Sequence, residues 1–202
     1  MNGLRFVAKF IRMCTHMKKL WHSTIALILI LAALFIPAVT AEEAPTEYTS
    51  GDYRYTLQPD GTAAIVKYTG SASILSIPDT LDGYAVTAIG NEAFRSCESL
   101  KNITIPDSVT SIGDGAFSGC SSLTSVTIPD GVTSIGDGAF KSCDSLANVS
   151  IPESVTSIDK YAFADCSEVL TLTVVRNSWA ASWCKENGMN YTYTDALDWL
   201  KQ

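Results

Sequence analysis

Residues 122–143 read SLTSVTIPDGVTSIGDGAFKSC, and residues 99–120 follow nearly the same spelling one step earlier. Phe94, Phe117, Phe140 and Phe163 stand 23 residues apart, as do Cys97, Cys120, Cys143 and Cys166, and Ile89, Ile112, Ile135 and Ile158. Pro106, Pro129 and Pro152 keep the step, as do Leu100, Leu123 and Leu146, with Val169 a looser fourth member. About ten positions recurring in register mark a structural repeat, and a period of this length is the signature of a stacked array. About four units are complete.

The chemistry of one unit explains its spelling. Leu123, Val126 and Ile128 alternate toward the end of the segment as a short strand with one buried face does. Pro129 removes a backbone donor and stops it, and Asp130-Gly131 supplies a turn. Val132 and Ile135 bring a second extended or turned stretch back to the core. Gly136 is expected to allow a tight bend, and Asp137 to cap a brief helical or 3-10 turn carrying Ala139, Phe140 and Cys143. One such unit cannot bury its apolar groups alone. Stacked units can, with each Phe lying on the next and the strands forming a parallel sheet at about 4.8 Å spacing.

These segments resemble the leucine-rich repeat of BspA-like bacterial surface proteins, and with flanking caps the likeness covers roughly residues 53–190. The resemblance implies a leucine-rich repeat solenoid, curved, with its sheet on the concave side. It also implies a secreted or cell-surface protein that adheres to host matrix proteins or to other cells.

The ends read as caps. Tyr53–Leu57, the Pro59-Asp60-Gly61 turn and Ala63–Tyr68 predict a β-hairpin. Phe94 stands 16 positions after Pro78 where the later units have a step of 11, which places an inserted loop near Leu81–Ala85 in the first coil. Beyond Val169 the pattern decays. Ser178 is placed to cap a helix holding Trp179, Ala180, Trp183 and Cys184, ended by Asn187-Gly188. Met189–Thr194 reads as extended, and Asp195–Leu200 as a last short helix. The expected organisation is a targeting segment over 1–41, a linker and hairpin cap over 42–73, repeats over 74–175 and a helix-strand cap over 176–202.

Charge divides the chain. The whole has 14 basic and 21 acidic residues, but residues 1–41 hold Arg5, Lys9, Arg12, Lys18 and Lys19 and no acid. Residues 42–202 therefore carry a net −12, which disfavours nucleic-acid binding, since phosphate contacts need clustered Lys and Arg. Met17-Lys18-Lys19, the apolar run Ile25–Ile36 and Val39-Thr40-Ala41 have the three parts of a secretory signal, with cleavage after Ala41. The run has 12 residues where a span needs about 20, so an uncleaved anchor, the only expected membrane contact, is the second reading. Met17 itself makes a conventional start. Both histidines, His16 and His22, leave with the segment.

Catalysis is accordingly not expected, since residues 42–202 hold no imidazole base for a nucleophile and no paired cysteine motif for zinc. Cys97, Cys120, Cys143 and Cys166 point the same way in successive coils and read as a column of buried free thiols rather than disulfides. Cys184, outside the column, is the thiol to test for reactivity. Asp107, Asp130 and Glu153, with Asp114 and Asp137, form acidic columns. They suit Ca²⁺ chemistry, but turns and caps select the same residues, and no cofactor or metal is expected.

The candidate site is the outer strand face. With Ile103 and Ile105 pointing in, Asn102 and Thr104 point out, and the columns continue through Ser125 and Thr127, Asn148 and Ser150, and Thr171 and Thr173. That face offers hydrogen bonds without charge and suits an extracellular protein or glycan. Thr and Ser also simply suit exposed strands, and the sequence leaves both readings open. The sequons at Asn102, Asn148 and Asn190 matter only in a glycosylating host, and the Lys-Lys start suits a bacterium. The aromatic residues gathered in both caps either bury the solenoid's ends or anchor partners, Trp199 being the candidate anchor. The alternative function is a structural component that self-assembles through those caps.

Overall fold

The computed structural model describes residues 45–194. The targeting segment, the helix expected over Asp195–Leu200 and Trp199 lie outside the described residues. In chain order the elements are β1 (Glu47–Ser50), β2 (Tyr53–Leu57), β3 (Ala63–Tyr68), β4 (Ile74–Ser76), β5 (Thr80–Leu81), β6 (Tyr84–Ile89), β7 (Asn102–Thr104) and β8 (Ser111–Ile112). There follow β9 (Ser125–Thr127), β10 (Ser134–Ile135), β11 (Asn148–Ile151), β12 (Ser157–Ile158), β13 (Thr171–Val174), the helix α1 (Trp179–Glu186) and β14 (Tyr191–Tyr193).

The coils pile up as the repeat requires, and they build two sheets. One runs β4-β7-β9-β11-β13-β14, every neighbour parallel, with Asn148 opposite both Ser125 and Thr171. The other runs β1-β2-β3-β6-β8-β10-β12, antiparallel through β3 and parallel beyond it. Its repeat strands are only two residues long, Ser134-Ile135 for example, which is why Val132 and Ile135 read equally as a strand or a turn. Six strands in the first sheet exceed the four complete units because the outer coils keep the strand while losing the Phe or Pro spelling.

The third side of each coil carries the phenylalanine. Gly115 and Phe117 carbonyls accept from Ser118 and Cys120 amides within the turn, while the Phe117 amide donates to Ala139 of the next coil at 2.7 Å. The Phe94 and Phe140 amides do the same to Ala116 and Ala162, at 2.7 and 2.8 Å. Amides committed between coils cannot also build a helix, so the expected helical turn is a bent corner instead.

The rings lie in one line. Phe94, Phe117, Phe140 and Phe163 stack at 5.1, 5.2 and 5.4 Å, with interplanar angles of 15°, 10° and 4°. The caps prolong the stack with Tyr68 and Tyr53 at one end and Trp183 at the other. Most of the cap aromatics' work is therefore to finish the core. Beside the rings, the Sγ–H groups of Cys120, Cys143 and Cys166 donate to the Phe94, Phe117 and Phe140 carbonyls at 3.1, 3.2 and 3.0 Å, and all five described cysteines are free thiols.

Two local expectations change, and a third gains its form. Gly136 makes no left-handed bend; a Cβ there would sit 2.7 Å from the Asp114 amide of the previous coil, so the glycine answers a close approach. Val169 is 69% exposed, and Leu170 takes the buried place of Leu146, because the last coil carries one more residue before its leucine. The inserted loop near Leu81–Ala85 is a tight hairpin, β5 against β6, turning on Asp82-Gly83 with φ of 50° and 88°. Asp82 then ties it to the N-terminal cap, accepting from Ser50 Oγ at 2.8 Å and Tyr55 OH at 2.9 Å. Burial and that bond push the Tyr55 hydroxyl up to about 12.

At the other end, Ser178 Oγ accepts from the Ala181 amide at 3.1 Å, the N-cap the sequence predicts for α1. Gly188 at φ 68° lets the chain leave the helix and run into β14.

Candidate functional site

Alternation along the strands decides which side chains the face presents. In β7 and β9 the central residues Ile103 and Val126 are buried, and Asn102, Thr104, Ser125 and Thr127 are exposed on either side. In β11 and β13 the same positions bring Asn148, Ser150, Thr171 and Thr173 to the face, the last three half-buried. Register then sets the columns: Asn102, Ser125, Asn148 and Thr171 in one, and Thr127, Ser150 and Thr173 in the other, with Thr104 one coil earlier. All eight residues singled out from sequence share one surface. The face also runs further than the repeat spelling indicates. Ile74 and Ser76 of β4 pair with Asn102 and Thr104, and Thr192 of β14 pairs with Thr173. Ile74 is 73% exposed, the most exposed large apolar side chain described.

Hydrogen bonding separates this face from several hydroxyls elsewhere on the coils. Thr110 and Thr133 hydroxyls donate to the carbonyls of Thr87 and Thr110, one coil back, at 3.2 and 3.3 Å. Ser108 and Ser154 bind Val86 and Val132 carbonyls, both at 2.7 Å, and Thr124 binds the Lys101 carbonyl at 3.1 Å. Those residues hold the coils together. On the face, Asn102 accepts only a long bond from Thr124 Oγ1, and Thr171 donates only to the nearby Val169 carbonyl, both at 3.4 Å. The side chains of Thr104, Ser125, Thr127, Asn148, Ser150 and Thr173 bond to nothing else among the described residues. Sequence cannot make this distinction, because Ser and Thr fill both kinds of column.

One rim of the face drops into a cleft of about 470 Å³, where Thr127 and Ser150 meet Asp130 and Glu153 of the proline turns. The other acidic column is structural in part. Asn91 Oδ1 accepts from the Asp114 amide, and Asp114 Oδ1 from the Asp137 amide, both at 2.9 Å, so each carboxamide or carboxylate clips the following coil. The series stops at Asp159, which stands where the earlier coils have glycine. Its own Oδ1 accepts from the Tyr161 amide, and the Asp137 carboxyl is raised by burial, by Asp159 and by Asp114. Among the described residues no group of three acidic, Cys or His side chains is arranged to hold a metal ion.

Cys184 does not have the environment of a reactive thiol. It is fully buried, and burial raises it to about 11. Cys97 opens the column instead: the Cys120 thiol beside it and the Lys67 ammonium lower it, against the opposing effect of its own burial.

Short parallel strands, two per repeat coil, with an aromatic spine behind them and an uncommitted polar face in front, define a leucine-rich repeat solenoid. The chain belongs to the BspA type leucine rich repeat region family, whose pattern matches residues 69–180 in six copies. Among solved structures, a leucine-rich repeat protein from Bacteroides capillosus is 33% identical with a TM-score of 0.56, the match covering 63% of this chain and 97% of that one. The leucine-rich repeat protein TpLRR of T. pallidum is 29% identical with a TM-score of 0.52, covering 63% of this chain and 71% of that one. No curated protein matches the sequence.

Proposed function

We propose that the protein is an exported binding module, non-catalytic, that holds an extracellular protein on its strand face. The observation that carries this reading is the set of six face side chains with unspent hydrogen-bonding groups, beside Ser108, Thr110, Thr124, Thr133 and Ser154, whose hydroxyls are spent on neighbouring coils. Six strands at about 4.8 Å, each about 10 Å long, give a face of roughly 240 Å², smaller than the ~800 Å² per partner of a standard interface. The partner therefore overlaps the rim cleft, where Asp130 and Glu153 favour a basic surface, and the net charge of residues 42–202 acts in the same direction. The targeting segment supports a secreted or cell-surface location.

The test is surface plasmon resonance of the full chain against a panel of extracellular matrix proteins, with a variant carrying Asn102→Lys, Ser125→Lys and Asn148→Lys. A bound partner should be lost by the variant at unchanged melting temperature, and its affinity should fall as salt rises. Binding that survives the three lysines sinks the face as the site.

A second reading, assembly through the ends, draws on β4, whose outer edge pairs with no strand among the described residues while Ile74 stands exposed. Light scattering over a range of concentrations tests it, and a monomer throughout ends it.

A further inference from the structure

Away from the strand face, the turn side of the solenoid carries a groove of about 560 Å³, within the range of small-ligand sites. Its shape comes from one repeat position. Counting by 23, that position holds Glu92, Gly115, Gly138 and Tyr161. The two glycines leave a trough about 14 Å long, three coil steps of about 4.8 Å, closed at one end by Glu92 and at the other by Tyr161.

The glycines are not there because the backbone forbids anything else. Gly115 and Gly138 have φ of 58° and 56°, but Glu92 holds the same conformation at 56° in the first coil. Nor does space forbid a side chain. A Cβ on Gly115 would meet Glu92 Cγ at 3.5 Å, and one on Gly138 would meet Lys141 Cβ at 3.5 Å, both ordinary contacts. The trough is thus an omission of side chains at a left-handed position where Glu92 carries one at a cost in backbone strain.

Its walls offer both kinds of hydrogen bond. On one side stand Asn91, Asp114 and Asp137. Asn91 and Asp114 each commit one oxygen to the next coil, which leaves Asn91 Nδ2 and Asp114 Oδ2 without a partner among the described residues. On the other side stand Arg95, Ser118 and Lys141. Both cations of the lining sit in exposed ion pairs, Arg95 with Glu92 at 2.5 Å and Lys141 with Asp165 at 3.6 Å, beside at least as many acidic groups, so the lining has no excess of positive charge. Tyr161 is 56% exposed, with Lys160 Nζ 5.4 Å from its ring centroid. It is the one large aromatic surface in the lining.

We infer that this trough binds a short neutral saccharide. A sugar ring has an apolar face of C–H groups that stacks on an aromatic ring, and hydroxyls that donate to carboxylates and accept from amides and ammonium groups. No ion is required. The Tyr161 ring is the platform, Asp114 and Asp137 accept hydrogen bonds from the sugar hydroxyls, and Asn91 and Ser118 donate. The glycine floor lets the rings lie along the coils. This site shares no residue with the strand face, so it stands or falls apart from the protein-binding proposal.

The experiment is titration of the ¹⁵N-labelled full chain with cellotriose, maltotriose and chitotriose, alongside trialanine and trigalacturonate, following the Gly115 and Gly138 amide resonances. At least one neutral trisaccharide should shift both resonances, and neither the peptide nor the polyanion should do so. Tyr161→Ala and Gly138→Asn should each weaken that binding about tenfold, one by removing the platform and the other by filling the floor. Asparagine tolerates the left-handed backbone well, so Gly138→Asn keeps the fold, which the dispersion of the remaining resonances reports. The strand-face lysine variant should bind the sugar unchanged. Silence from all three trisaccharides overturns the inference, as does binding that survives both substitutions or an equal response to trialanine or trigalacturonate.

Discussion

Truncating Phe117 to alanine removes a ring with no solvent exposure, stacked at 5.1 Å on Phe94 and at 5.2 Å on Phe140. Emptying a buried Phe site costs about 3–5 kcal/mol. Two lost stacking contacts, each about 0.5–1.5 kcal/mol beyond burial, place this site at the upper end, near 5 kcal/mol. Phe163→Ala is the internal control. That ring is 5% exposed and has one stacked neighbour at 5.4 Å and an edge contact to Trp183 at 6.2 Å, so its loss should sit near 3 kcal/mol. In a linear array each coil is held only by its neighbours, so a weakened middle also uncouples the ends. Urea unfolding followed by far-UV circular dichroism reads the whole chain. Tryptophan fluorescence reads mainly the C-terminal end, because Trp179, Trp183 and Trp199 lie there and Trp21 lies in the targeting segment. The wild type should give coincident midpoints, and Phe117→Ala should separate them. A cost below about 1.5 kcal/mol at Phe117, or a larger cost at Phe163, would refute the continuous spine.

Gly136→Ala should destabilise by about 2–4 kcal/mol, the sum of overpacking against the Asp114 backbone and the loss of the Asp114–Asp137 clip, read as a fall in melting temperature. An unchanged melting temperature would mean the coils do not approach so closely. Native-state alkylation with iodoacetamide, mapped by peptide mass spectrometry, should label Cys97 ahead of Cys120, Cys143 and Cys184; Cys184 reacting first contradicts the burial described. Stability should also fall in alkali. Burial raises Cys143 to about 12 and Cys166 to about 11, against an ordinary value of 9.0. The unfolded chain therefore loses its thiol protons first, and the stabilisation, complete below about pH 9, declines as pH rises toward 12. Urea midpoints at about pH 8 and pH 10.5 measure the decline, which Cys143→Ala should make shallower; equal slopes in both proteins would reject the thiol column as its cause.

What sequence makes legible here is whatever repeats. Phe117 and Ile112 recur at a fixed step, and a fixed step leaves stacking as the arrangement that buries them all. What it leaves dark is whatever depends on the neighbouring coil. Gly136 looks like a bend residue because glycine usually is one. Only the Asp114 amide 2.7 Å from its missing Cβ shows that the constraint comes from 22 residues earlier. Val169 falls at the expected count, yet Leu170 is the buried residue, because a corner absorbs one extra residue without disturbing the 171–174 strand register. Tyr53, Tyr68 and Trp183 continue the phenylalanine spine at positions that share no spelling with it.

The same limit applies to the sites. The columns Asn102–Thr171 and Thr104–Thr173 follow from strand alternation alone, so their common face is legible. Their availability is not. Thr110 and Thr127 are the same residue type, but one hydroxyl closes on a carbonyl of the previous coil and the other closes on nothing. The turn-side trough is harder still to see, because it is made by two absent side chains, at Gly115 and Gly138, between two present ones. A column that runs Glu, Gly, Gly, Tyr looks in sequence like a weakly kept position. In the stacked structure it is a floor with two walls, since a repeat protein acquires a cavity wherever consecutive coils leave out the same side chain.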